Sequence, residues 1–132
     1  MQTVKILNLT KSFGKIRAVD SLSLDIEKGK ITGLIGADGS GKTTLIRLIT
    51  GLLIPDGGEI TVLGLNPAAQ KEELSTKIGY MPQKFGLYED LSIEENLQLY
   101  ADLKKLPYEF DELLEFTKLM PFKTRLAGAL SG

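Results

Sequence analysis

The sequence contains no cysteine and no histidine. Without cysteine there is no disulfide framework, no iron–sulfur cluster and no thiolate zinc site in this stretch. Without histidine, imidazole acid–base chemistry and histidine-rich metal centres are excluded as well. Charge of one sign is also lacking: 16 basic residues stand against 17 acidic ones, for a net charge of −1. Nucleic acid calls for a clustered basic surface, so no nucleic-acid partner is expected and attraction to any anion must be local. No apolar run approaches the roughly 18 residues that a bilayer span needs. Met1 leads into Gln2-Thr3-Val4-Lys5 instead of a basic stretch and an apolar secretion core, so a cytoplasmic location is expected. What is present, 42% hydrophobic and 25% charged residues in 132, suits one ordinary domain with its own core.

Val4-Lys5-Ile6-Leu7-Asn8-Leu9 and Leu22-Ser23-Leu24-Asp25-Ile26 alternate apolar and polar residues, which predicts an antiparallel strand pair with one wet face. Ile31-Thr32-Gly33-Leu34-Ile35 is apolar at nearly every position and predicts a strand buried on both faces, as in a parallel sheet. Helical spacing then places Leu45, Leu48 and Ile49 on one face. Pro55-Asp56-Gly57-Gly58 is turn punctuation, and 59–63 reads as a strand. Residues 68–76 read as a helix and 77–81 as a short strand. Ser92-Ile93-Glu94-Glu95 is a capping box, followed by an apolar stripe of Ile93, Leu97 and Tyr100 and stopped by Pro107. A further helix is expected over about 108–119.

Between the buried strand and the first helix lies Gly36-Ala37-Asp38-Gly39-Ser40-Gly41-Lys42-Thr43, which matches G-x-x-x-x-G-K-[ST] at every specified position. Phosphate oxygens need several N–H donors converging on a small volume, and glycine lets the backbone curl that tightly. The following helix adds the positive end of its dipole. Lys42 can reach the β- and γ-phosphates, the Thr43 hydroxyl can ligate Mg²⁺, and Thr44 comes next, toward the α-phosphate. No Asn-Lys-x-Asp guanine reader is present. The alternating strands ahead of the loop also differ from small-molecule kinases, which enter it from their first strand.

In this order the chain resembles the nucleotide-binding domain of ABC transporters along its whole length. The resemblance implies that Phe13, in Lys11-Ser12-Phe13-Gly14, stacks on adenine. It implies that Gln83, in Tyr80-Met81-Pro82-Gln83, touches Mg²⁺ and the attacking water. Leu91-Ser92-Ile93-Glu94-Glu95-Asn96-Leu97 looks like the opening of the helical subdomain. Leu130-Ser131-Gly132 looks like the start of the Leu-Ser-Gly-Gly signature, whose serine and glycine cap ATP on a partner domain. Phe85, Leu87 and Tyr88 fit either core packing or the surface that receives a membrane subunit, and 78–88 looks most like exporters with ABC-2-type membrane subunits.

The fold implied is α/β: a P-loop NTPase core with an antiparallel β subdomain over 1–84, and the start of a helical subdomain over 85–132. Together they form the N-terminal part of one ATP-binding domain. The ligands implied are ATP and Mg²⁺, with Lys42 and Gln83 as catalytic residues. The partners implied are a second ATP-binding domain and a membrane-spanning subunit, with the protein peripheral to the inner face of the membrane. Two departures stand out. Ala37-Asp38 replaces the family's usual Pro-Asn and sets a carboxylate near the phosphates. Family domains also run on for roughly another hundred residues, which carry the magnesium-organising aspartate, the catalytic glutamate and the switch histidine. The 132-residue chain is therefore expected to bind ATP weakly, to lack turnover alone and to expose apolar surface. A soluble ABC ATPase without a membrane partner and a binding-only module are the alternatives.

Overall fold

The computed structural model describes residues 2–83 and 86–130. They fall into two compact units, Met1–Tyr80 and Met81–Gly132, a division upstream of the 84/85 junction read from the sequence.

The first unit is built on strands β1 (Gln2–Phe13), β2 (Ile16–Glu27) and β3 (Gly57–Val62), in the antiparallel order β2-β1-β3. Helices α1 (Lys42–Ile49) and α2 (Lys71–Lys77) complete it. The alternation expected of β1 holds for Val4 and Ile6, which are buried, and then changes phase. Asn8 takes a left-handed φ of 49°, the register with β2 shifts between Ile6 and Leu9, and Leu9 turns fully inward. A bulge of this kind carries one extra residue and re-aims those after it. Gly58 makes room for it on β3, since a Cβ there would lie 2.3 Å from Asn8 O. Leu45 and Leu48 of α1 join Val4, Ile6, Leu9, Val19, Ile60 and Val62 in one buried cluster. Ile49 lies partly buried against it, so the predicted helix face is the packing face.

Two predicted strands are absent. Residues 31–35 and 77–81 form no strand, and Ile31, Ile35 and Met81 are 104%, 95% and 92% exposed. Apolar composition makes a segment want a strand's environment, but a strand exists only through hydrogen bonds to a neighbour. Among the described residues no strand pairs with either segment. The helix expected over 68–76 begins later, at Lys71, because Asn66 accepts the N–H groups of Ala68 and Ala69 through its side chain and holds that stretch as a turn.

The second unit carries α3 (Ile93–Lys104), α4 (Asp111–Phe116) and short 3-10 turns at Met120–Phe122 and Ala127–Ala129. The capping box forms as predicted: Glu95 N–H donates to Ser92 Oγ at 3.2 Å, and Ser92 N–H donates to the Glu95 carboxylate at 2.8 Å. That backbone donor, foremost, holds the Glu95 carboxyl below its ordinary pKa. The next donors of the turn, Ile93 and Glu94 N–H, go to Arg125 O and Lys123 O at 3.1 and 3.0 Å. The apolar stripe is narrower than predicted, with Ile93 buried, Leu97 half-buried and Tyr100 exposed. Asn96 takes the buried place at i+3 from Ile93, only 1% exposed. Its amide accepts from Tyr88 N–H at 2.8 Å and donates to Tyr88 O at 2.9 Å and Ser92 O at 3.0 Å. It thereby pins the loop ahead of α3 and leaves no polar atom of its own unpaired. The helix expected over 108–119 is shorter, because Thr117 caps α4 and Lys118 adopts a φ of 58°.

Candidate functional site

The loop predicted to hold phosphate runs from Gly36 through a turn at Asp38-Gly39 into α1 at Lys42. Gly39 and Gly41 have φ of 77° and 90°. At Gly41 a Cβ would lie 2.0 Å from Ala18 O, so only glycine lets the loop close against β2. At Gly36 a Cβ would meet Ser40 Oγ at 2.8 Å, and at Gly39 it would meet nothing within 4 Å. Ser40 N–H donates to Ala37 O at 3.2 Å and closes the turn. The Lys42 ammonium folds back into the loop and donates to Gly36 O at 2.7 Å and Ala37 O at 2.6 Å. The charge of Lys42 is thus held against two carbonyl oxygens of the loop.

The start of α1 differs from that of α3. Its N-cap, Gly41, supplies no side-chain cap, its first turn has no acidic residue, and its first internal bond runs from Leu45 N–H to Gly41 O at 2.9 Å. The N–H groups of Lys42, Thr43 and Thr44 therefore lack an intrahelical acceptor, at the end where the helix dipole is positive. Thr43 is exposed, Thr44 half-buried, and Asp38 exposed on the turn. Beside the loop lies a cavity of about 340 Å³, walled by Ala18, Val19 and Leu22 of β2 on one side and by Gly36, Ser40 and Lys42 on the other.

Phe13 ends β1 and is half exposed, with Lys11 Nζ over its ring at 5.6 Å from the centroid. It is not one of the residues lining the cavity. Lys11 also pairs with Asp56 at 2.8 Å, and Ser12 N–H donates to the same carboxylate at 2.6 Å. The Lys11 hydrogen bond first, and the Ser12 amide second, hold the Asp56 carboxyl below its ordinary pKa. Nothing in the sequence pointed to this link, because Asp56 reads as a turn residue and Lys11 is distant along the chain. Gln83 belongs to the second unit, exposed on a bend. The strand expected to carry it is not formed, so its predicted place at a strand end is corrected. Ser131 and Gly132 lie outside the described residues, as does Phe85. The role of Asn96 likewise belongs to no motif, although a polar residue within an apolar helical stripe is a readable signal.

The sequence profile of the ABC transporter family matches residues 19–132. This chain belongs to the ABC transporter family. The probable multidrug ABC transporter ATP-binding protein YbhF of Escherichia coli is 55% identical over 120 residues, covering 87% of this chain and 21% of that protein. The bacitracin transport ATP-binding protein BcrA of Bacillus licheniformis is 35% identical over 130 residues, covering 97% and 42%. The sulfate/thiosulfate import ATP-binding protein CysA of Thermosynechococcus vestitus is 36% identical over 134 residues, covering 98% and 40%. The chain thus spans less than half the length of these ABC relatives. A solved ATP-binding subunit of an ABC transporter superposes with a TM-score of 0.85 at 26% identity, over 98% of this chain and 56% of that one. An ATP-binding cassette solved in its ADP conformation gives 0.74 at 29% identity, over 100% and 60%. The fold is that of the ABC ATPase P-loop domain. Among the described residues no helix is long and apolar enough to cross a membrane.

Proposed function

We propose that this chain is the N-terminal part of an ATP-binding domain that binds MgATP and, in the full-length protein, couples its hydrolysis to export through a membrane-spanning partner. One observation carries this reading: a glycine loop closed onto β2 at Gly41, with the Lys42 ammonium against two of its carbonyl oxygens and an uncapped helix start behind it. The residues fit a triphosphate. The N–H groups of Lys42, Thr43 and Thr44 face outward from the helix with no internal acceptor, and phosphate is a ready occupant of such a terminus. The Lys42 ammonium would exchange two neutral carbonyl acceptors for phosphate oxygens, which make the stronger, charge-assisted bonds. The exposed Thr43 hydroxyl would ligate Mg²⁺, which neutralises part of the triphosphate charge when bound. Gln83 would order water at the metal, and Phe13 would stack on the base. Ser131 and Gly132 would cap nucleotide held by a second such domain.

The proposal extends to an ABC-2-type membrane subunit as the partner, to a position at the inner face of the membrane, and to residues 85–132 as the start of the helical subdomain. Exposed Leu87 and Tyr88, on the loop pinned by Asn96, support a partner surface there. A full-length Lys42→Ala variant tests the reading. Removing the cation from bound phosphate should weaken MgATP binding by about 2–5 kcal/mol. Unchanged affinity would contradict it.

A further inference from the structure

β1 is secured on both edges only as far as Thr10. Its pairing with β3 ends at Thr10↔Gly57, while pairing with β2 continues through Ser12↔Arg17 to Phe13↔Ile16 across register shifts. The tip that carries Phe13 is therefore a two-stranded ribbon, which holds its shape poorly without further support. Asp56 supplies that support from the residue just before β3. Its own N–H donates to Thr10 O at 2.9 Å, which fixes its position. One carboxylate oxygen then accepts from Ser12 N–H at 2.6 Å, where the next backbone acceptor of a longer β3 would stand. The other accepts from Lys11 Nζ at 2.8 Å. Lys11 is thereby stretched over the Phe13 ring, with its side chain only 16% exposed. The Lys11 ammonium thus lies over the ring, and Phe13 remains 48% exposed. An exposed ion pair adds little stability by itself, so the arrangement matters for where it puts the ring.

We propose that Asp56 and Lys11 are positioning residues for nucleobase recognition, orienting Phe13 so that one face stays open to stack on the base. This rests on the stacking role proposed for Phe13. The test compares two probes on the full-length protein, MgATP and magnesium tripolyphosphate, the second of which has no base. Stacking is worth about 0.5–1.5 kcal/mol, so Phe13→Ala should raise the Kd for MgATP about 2- to 12-fold. Asp56→Ala and Lys11→Met should each raise it about 2- to 5-fold, as part of the same effect. None of the three should change tripolyphosphate binding. Phe13→Ala combined with Asp56→Ala should bind MgATP no more weakly than Phe13→Ala alone. If Phe13→Ala leaves MgATP affinity intact, stacking fails and this proposal falls with it. If Phe13→Ala weakens binding but Asp56→Ala and Lys11→Met do not, stacking stands and the positioning role is wrong. Equal losses on both probes would make Asp56 a support of the whole fold and would also overturn the proposal.

Discussion

Two glycines of the phosphate loop share a left-handed backbone but differ in what surrounds them, and that difference gives a graded prediction. Alanine at Gly39, with a φ of 77° and nothing within 4 Å of the added methyl, bears only the conformational strain, about 1–2 kcal/mol. Alanine at Gly41, with a φ of 90°, bears the same strain and drives its Cβ to 2.0 Å from Ala18 O. That oxygen is strand backbone and cannot rotate aside as a side chain can. Relief requires the loop to lift from β2, which adds about 1–3 kcal/mol on the scale of overpacked sites. If the closed loop is the form that grips phosphate, the extra strain appears as lost affinity, about 5- to 150-fold beyond the Gly39→Ala loss. Calorimetric titration of MgATP into full-length Gly39→Ala and Gly41→Ala proteins measures it, with urea melts confirming that both variants fold. Equal affinities for the two variants would refute the claim that contact with Ala18 shapes the loop.

Further outcomes follow from the second unit. Ser92→Ala removes the N-cap of α3 and should cost about 1 kcal/mol, read from urea unfolding and from faster hydrogen exchange at the Glu95 amide. The Glu95 carboxyl, lowered by its bond from Ser92 N–H, contributes stability fully above its unfolded pKa and loses it as pH falls through the lower folded value. Its NMR titration midpoint should therefore lie below that of a free glutamate, and Ser92→Pro, which deletes the N–H, should raise it. Asn96→Leu takes away the acceptor of Tyr88 N–H, in a partly buried place, and should cost about 1 kcal/mol. Hydrogen exchange should then speed at Tyr88, and unchanged exchange there would count against the pinning.

The features legible in the sequence are those in which local chemistry decides. The Lys42 bonds to Gly36 and Ala37, the Ser92–Glu95 box and the Leu45/Leu48 face each depend on residues within one or two helical turns, and each is formed. Failures arose where a distant partner decides. Ile31–Ile35 has the composition of a buried strand, but composition carries no hydrogen-bond neighbour. Likewise, Leu9 points inward only because Asn8 inserts a bulge facing Gly58, which strict alternation does not foresee. At the site, the loop and Lys42 were readable from spacing, whereas the Lys11–Asp56 link depends on β1 and β3 meeting. Asn96 sits between these cases, since a buried amide in an apolar stripe announces that something needs its hydrogen bonds.

The most direct measurement of the central claim is a titration of MgATP into ¹⁵N-labelled full-length protein, followed at the backbone amides. Saturable shifts are expected, concentrated at Gly39, Gly41, Lys42, Thr43 and Thr44, and abolished or strongly weakened by Lys42→Ala. Absence of saturation, or saturating shifts that leave these amides unmoved, would contradict it.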